Sequence, residues 1–500
     1  AWIDLYASGY PQITPYESGI LKGKLFGNFL NDATTLVQMC QAALLIWDRV
    51  PENKKEFWRR NYFLPEARLL DDGFACPINI ACWQRAAQGL VALLYNDGAL
   101  WKEVVDGKEG IRRQLGRGVT SDYFWFEQSL GYNYYVVDAL LPFFEEAARR
   151  GRMEEIRDEA AILENLILAP LELRFPNGFL PNPADVTGRM QASRVRERLA
   201  RVAHLFPTDV GCHAAGKIKD WAVLLNPPAS PGDTDAAPPA FPEVKSRAFE
   251  STRFVVLKND PWQVFVHFGQ VDLNHAQAEA PGFEACHGKL PVTLDPGTVA
   301  YSSPLYKSYY KAGLADNVPL VNGLPQSTWR PGRLLAFDAR ENRAVVAQHP
   351  YVPGWNATRE FHIDGEKLAD RLTLEPDSPA PAPASAALGF LLHFENNASL
   401  ATRGRAVLAG FAPEPGFATG RLEGFKNWSG VRRGEARDEA RFALTIDGRR
   451  FDLVIRTEGA FSIHVAATPG YPPGRRTSLL VEKIAPKGVF ETIISPASNK

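Results

Sequence analysis

Apolar residues recur at helical spacings through the first part of the chain. In "DATTLVQMCQAALLIWDRV" Leu36, Met39, Cys40 and Leu44 share one face, and in "MEEIRDEAAILENLILAPLEL" Ile156, Ala160, Leu163 and Ile167 do the same. "NIACWQRAAQGLVALL" and "NYYVVDALLPFFEEAARR" carry the same rhythm. Several amphipathic helices within residues 1–225 predict a helical domain built around a shared interior. The rhythm stops at residues 226–243, "NPPASPGDTDAAPPAFPE", where repeated prolines remove backbone donors and block helix continuation, which predicts a linker. Beyond it alternation takes over. "RFVVLKNDPWQVFVHFG" predicts two strands around a turn at Asn259, Asp260 and Pro261, and "ALGFLLHFEN", "GRAVLAGF", "RFALTIDGRRFDLVIRT" and "RTSLLVEKI" continue the β pattern. "EPDSPAPAPASAA" divides this half into a central β-sandwich, 244–385, and residues 386–500, a C-terminal β domain or an extension of the same sheet. The expected class is multidomain α+β, helices first and antiparallel β-sandwich domains after them.

Composition narrows the function classes. With 500 residues, 45% of them apolar and 23% charged, the chain can bury a large core, which excludes disorder and a small disulfide scaffold. A net charge of -1 supplies no global field for nucleic acid, so no nucleic-acid partner is expected. Cys40, Cys76, Cys82, Cys212 and Cys286 lack paired metal-ligand spacing and read as free thiols. No apolar run is long enough to span a bilayer, and the first residues form no basic-then-apolar signal segment. The abrupt opening at Ala1 is that expected of a mature or trimmed form.

The polar stretch "DLNHAQAEAPGFEACHGKLPVTLDPG", 272–297, interrupts the β pattern. On a strand His275, Gln277 and Glu279 share one face, and an imidazole there can exchange a proton near neutral pH or serve as a hydrogen-bonded sandwich residue. His287 reads as a loop residue, and Asp295, ahead of Pro296 and Gly297, either caps a turn or faces a cation. In the helical half "SDYFWFEQSLGYNYYVV" gathers Trp125, Glu127, Gln128, Tyr132, Asn133, Tyr134 and Tyr135, a sugar-stacking wall or core packing. Asn79 opens a helical pattern, where an amide caps the helix or binds a ligand. The basic run from Arg189 in "RMQASRVRERLARVAH" is a solvated helix face or the lining of an anionic cleft. Phosphate-loop, zincin and serine-elbow motifs are absent.

Residues 274–323, "NHAQAEAPGFEACHGKLPVTLDPGTVAYSSPLYKSYYKAGLADNVPLVNG", resemble the histidine strand, Asp-Pro-Gly turn, tyrosine segment and Asn-x-x-x-x-x-Gly edge of the heparinase II/III-like polysaccharide lyases. "GKLFGNFLND", "NIACWQRAAQGL" and "EQSLGYNYYV" extend the resemblance into the helical half. It implies an N-terminal incomplete (α/α) toroid followed by antiparallel β-sandwich domains, and a periplasmic or secreted protein. It also implies cleavage of a uronic-acid-containing glycan by β-elimination, with no cofactor required for that step. Asn79 would bind the substrate carboxylate. His275 and Tyr132 would divide C5 proton abstraction and C4 leaving-group protonation, histidine as base and tyrosine as acid, unless the stereochemistry of the sugar lets Tyr132 perform both transfers. Trp125, Glu127, Gln128, Asn133, Arg189, Tyr301, Tyr306, Lys307 and Tyr310 are the expected substrate contacts, in a cleft between the domains. His349 and Arg359 receive no chemistry.

The chain departs from the family at its metal ligands. The family's His-x-His-x-Asp reads His275, Ala276, Gln277, Ala278, Glu279, and its later His-Asn pair reads Asp316 and Asn317. The corresponding metal positions are Gln277, Asp295 and Asp316. Oxygen donors there favour calcium over zinc, or a hydrogen-bond network without a metal. Two other functions remain open. A glycoside hydrolase would need a carboxylate pair such as Glu127 and Glu279, and a non-catalytic carbohydrate-binding protein would bind acidic glycans without turnover.

Overall fold

The computed structural model describes residues 1–16, 22–71, 77–230, 232–233, 235–327, 329, 331–378, 385–395, 398–402 and 411–497. They form two compact units, one of Ala1–Trp125, Tyr132–Ala169 and Glu197–Pro239, the other of Phe126–Gly131, Pro170–Arg196 and Ala240–Lys500.

The first unit is helical. Helices Phe29–Ile46, Asn79–Leu94, Leu130–Arg149 and Arg157–Leu168 stand where the apolar rhythm placed them. Phe29–Ile46 starts on Asn28, whose Oδ1 accepts from Leu30 N at 2.8 Å and satisfies a donor the helix itself leaves unpaired. Its inward face, Ala33, Leu36, Val37 and Cys40, packs with Tyr62, Phe63, Ala87, Leu90 and Val91. Each fully buried leucine there contributes about 2 kcal/mol. A Cβ at Gly89 would lie 2.4 Å from the Phe143 ring, so that position requires a residue without one. Cys40 is a buried free thiol, as is Cys286 in the other unit, Cys82 is buried, and Cys76 lies outside the described residues. No described helix is long and apolar enough to cross a membrane.

The second unit is β-rich. Strands Arg247–Phe249, Phe254–Lys258, Trp262–His267, Gly282–His287 and Leu290–Thr293 form a five-stranded antiparallel sheet in sequence order. Period-two alternation sends Trp262, Val264, Val266, Phe283 and Ala285 into a core shared with Val346, Phe361, Leu392 and Ile463 of a twelve-stranded sheet, so two sheets pack face to face. That larger sheet contains both Lys367–Pro376 and Ala386–Phe394, so the described strands from Ala386 onward extend the sheet begun earlier. The proline-rich stretch between them lies, at 379–384, outside the described residues, as does "GRAVLAGF" except for Phe411.

The opposite face of the small sheet carries Gln263, His267, Glu284 and Cys286, and residues 170–196 cover it. Gln263 Nε2 donates to Leu173 O (3.2 Å) and Arg174 O (3.0 Å), and Asn182 N donates to Glu284 Oε1 at 2.8 Å. These bonds explain why a segment preceding the linker belongs to the β unit: its partners lie about ninety residues downstream, and no periodicity announces them. Residues 226–243 form no helix or strand where described.

Candidate active site

The segment His275–Glu279 is not a strand. It forms a turn and an irregular stretch between strands Trp262–His267 and Gly282–His287, and His275 itself takes a left-handed conformation with φ 58°. Shared-face reasoning therefore does not apply, yet all three polar side chains converge on one short loop. Gln277 Nε2 donates to Ala184 O at 2.8 Å, Glu279 Oε1 accepts from Ala184 N at 2.7 Å, and His275 Nδ1 lies 3.1 Å from Asp185 Oδ2. Thr298 N closes the far side on Val186 O at 2.8 Å. A Cβ at Gly297 would lie 2.3 Å from that same oxygen, and Gly297 has φ 70°, so the Asp-Pro-Gly turn needs its glycine.

Around His275 the structure places a small polar group. Its side chain is 21% exposed, whereas Asp185 is 1% exposed. Tyr301 Oη lies 3.1 Å from His275 Nδ1, and the Tyr306 hydroxyl donates to Asp185 Oδ2 at 3.3 Å. Tyr301 is 55% exposed and stands edge-on to Tyr306. Lys307 is exposed nearby in sequence, and Arg189 pairs with Glu395 at 2.9 Å. Left-handed backbone at a residue other than glycine costs on the order of 1 kcal/mol and persists where surrounding contacts enforce it.

Several expected contacts point inward instead. Trp125 is 0% exposed, and its ring fills the space beside Gly118, so it packs rather than offering a stacking wall. Asn133 bridges Trp125 N (2.9 Å) and Leu166 O (2.7 Å). Gln128 donates to Thr252 O and Gly269 O and accepts from Val271 N. Tyr310 is buried with its hydroxyl donating to Gly470 O at 2.8 Å, and Glu127 is buried as well. An amide or phenol that must satisfy buried backbone has the same letter as one that meets a sugar, which is why the sequence could not separate them. Asn79 and Tyr132 belong to the helical unit. Asn79 is buried at the first position of its helix, behind the N-cap Ile78, so it does not cap, and Tyr132 is partly exposed. Asp185 escaped sequence reading because a lone carboxylate in "PNPADVTG" carries no motif.

Behind this group lies a buried acidic cluster. Carboxylate oxygens of Glu279, Asp295 and Asp316 fall within 4.8 Å of one another, beside a cavity of about 20 Å³ also lined by His267 and Glu284. Asp295 Oδ1 accepts from Gly297 N at 2.6 Å, while both Asp316 oxygens are buried without a hydrogen-bond partner among the described residues. Burial pushes Asp316 up to about 8, reinforced by Glu279 and opposed by Arg476; burial likewise pushes Glu284 up to about 8 and Asp295 well above the usual carboxylate range. The group can coordinate a divalent cation: all-oxygen donors, orphaned carboxylate atoms and room for one small ion suit it. Gln277, Asp295 and Asp316 were the expected ligands; Asp295 and Asp316 lie in the cluster, Glu279 joins them, and Gln277 instead donates to Ala184 O.

Carboxyls whose folded pKa exceeds the unfolded value of about 4 stabilise most at low pH, and that contribution is lost as pH rises toward about 8. The chelator-treated protein should therefore unfold at lower temperature at pH 8 than at pH 5, and calcium should raise the transition at pH 8 with little effect at pH 5. A transition insensitive to calcium at both values would contradict a cation at this cluster.

Residues 242–460 match the family model described as heparinase II/III-like, C-terminal. Over those residues the chain is similar to the C-terminal part of that family. Solved structures agree on the fold. A protein titled heparinase III aligns with TM-score 0.71 at 13% identity, covering 100% of this chain and 73% of that one. A heparinase III titled BT4657 gene product gives 0.67 at 13% identity over 94% of this chain and 68% of its own. The heparan sulfate lyase HepC from Pedobacter heparinus gives 0.64 at 15% identity, covering 95% and 69%. No curated protein matches the chain by sequence. The matched residues include His275, Asp295, Tyr301, Tyr306 and Asp316, the β-unit residues on which the site is built.

Proposed function

We propose that the chain is a polysaccharide lyase that cleaves a uronic-acid-containing glycan by β-elimination. The observation that carries the reading is His275: a partly exposed imidazole on an enforced left-handed turn, anchored through one nitrogen on a buried carboxylate. A C5 proton next to a uronic carboxylate becomes acidic when charge on that carboxylate is stabilised, and Asn79 is assigned this hydrogen-bonding role. Neutral His275 takes the C5 proton as the C4–O bond breaks, and the Tyr132 phenol supplies a proton to the departing C4 oxygen. A C4–C5 double bond forms, so one product ends in an unsaturated uronyl residue. Tyr301 and Lys307, exposed in the β unit, are the substrate contacts that remain open to solvent. The acidic cluster is structural in this reading and holds calcium in preference to zinc, because oxygen donors suit a hard cation. The protein would work in the periplasm or outside the cell.

The likeness in fold to proteins titled heparinase III and heparan sulfate lyase supports the reading. Hydrolysis is less well supported, because Glu279 is committed to Ala184 N and to the acidic cluster, and Glu127 alone would not make the carboxylate pair that hydrolysis needs. The test is a panel of chemically distinct uronic-acid polysaccharides followed by near-ultraviolet absorbance and product length. A conjugated product from at least one member is expected. Binding across the panel without turnover would contradict the proposal and favour a carbohydrate-binding protein.

A further inference from the structure

We infer that Asp185 is a positioning residue that selects the reactive tautomer of His275; this rests on the lyase reading above, in which His275 is the base. Asp185 Oδ2 offers only lone pairs and lies 3.1 Å from His275 Nδ1. An unprotonated Nδ1 facing it would set lone pair against lone pair, so the ring proton sits on Nδ1 and the basic lone pair on Nε2. The Tyr306 hydroxyl donates to the same Oδ2 at 3.3 Å, which leaves that oxygen an acceptor toward the ring. Tyr301 Oη, 3.1 Å from Nδ1, then meets an N–H and accepts rather than donates there.

The carboxylate is held in place from several directions. Gln277 and Glu279 grip the carbonyl and N–H of Ala184, the preceding residue, and Ser129 Oγ donates to Asp185 O at 3.4 Å. At 1% exposure, no bulk water competes for its bonds. His275 arrives on a turn fixed by Asn274 N donating to Asp272 Oδ1 at 2.7 Å. Loop and turn are thus both pinned at the two ends of one hydrogen bond. During elimination the C5 proton moves to Nε2 and the C5–H electron pair enters the new double bond. The Nδ1 proton stays in place, and the imidazolium that forms faces the Asp185 carboxylate.

Nitrogen NMR of the full chain labelled on histidine reads the tautomer directly, with the His275 signals assigned by their loss in His275→Asn. The neutral ring of the parent protein should be protonated on Nδ1. In Asp185→Leu, which keeps the bulk and removes the acceptor, the Tyr301 hydroxyl can donate to Nδ1 and the ring should move toward the Nε2–H form. The same variant should lose at least about 100-fold in kcat with KM within about threefold. An Nε2–H majority in the parent, or one tautomer shared by parent and variant, would overturn the inference. Should the leucine variant not fold, the parent spectrum alone decides. Absence of unsaturated product from the parent would defeat the lyase reading separately, leaving the tautomer result intact.

Discussion

His275→Asn should slow formation of unsaturated product by at least about 100-fold, the range general-base catalysis supplies, while the protein remains folded. Asparagine is the informative replacement because His275 has φ 58°, a conformation asparagine accepts more readily than alanine. Alanine would add on the order of 1 kcal/mol of backbone strain and blur a catalytic loss with a structural one. Tyr132→Phe removes one oxygen from a partly exposed residue near the start of the helix Leu130–Arg149 and should cause a loss of the same order. Initial rates on the best substrate of the panel, with unfolding temperatures measured in parallel, check both. Near-parental turnover in both variants would remove the assigned acid and base together.

A second large effect concerns stability. Arg359 is 0% exposed, and its guanidinium donates to both Asp370 oxygens, at 2.8 and 2.7 Å, and to the carbonyls of Pro281 and Asn317. It thereby ties two strands of the large sheet to the segments that flank the small sheet's fourth strand and the acidic cluster. Arg359→Met leaves the buried Asp370 carboxylate and two carbonyls without their donor. Loss of one partner from a buried pair costs about 3–5 kcal/mol, because the remaining charge keeps its desolvation penalty. Replacing both partners with apolar residues should return much of that, since the orphaned charge disappears. Denaturant unfolding of the single and double variants measures this. A single-variant cost below about 1 kcal/mol would contradict the account of Arg359 as a structural tie.

The same residue illustrates what could be read in advance. Arg359 in "HPYVPGWNATREFH" has the letter of a substrate-binding cation, and only its strand's burial pattern reveals a core ion pair. Helices were legible because amphipathic periodicity is local: "NIACWQRAAQGLVALL" coincides with the helix Asn79–Leu94. The β character of "RFALTIDGRRFDLVIRT" was legible from its alternation, and the structure folds it as a hairpin whose turn residues Asp447 and Gly448 both have positive φ. The site was legible only in part. His275, Asp295 and Asp316 could be singled out by residue type and resemblance. Asp185 could not, because its meaning lies in a contact with a histidine ninety positions away. Glu279 looked like a strand neighbour of Gln277, whereas an irregular backbone turns it onto Ala184 N and into the acidic cluster.

The central claim is elimination, and the fate of water tests it most directly. Digestion of the best substrate in heavy-oxygen water, followed by mass spectrometry of the fragments at early times, separates the two ways of breaking the glycosidic linkage. The account predicts fragments whose new non-reducing end is an unsaturated uronyl residue and whose cleavage incorporates no solvent oxygen. Saturated fragments carrying one heavy oxygen per cleavage would contradict it and establish hydrolysis instead.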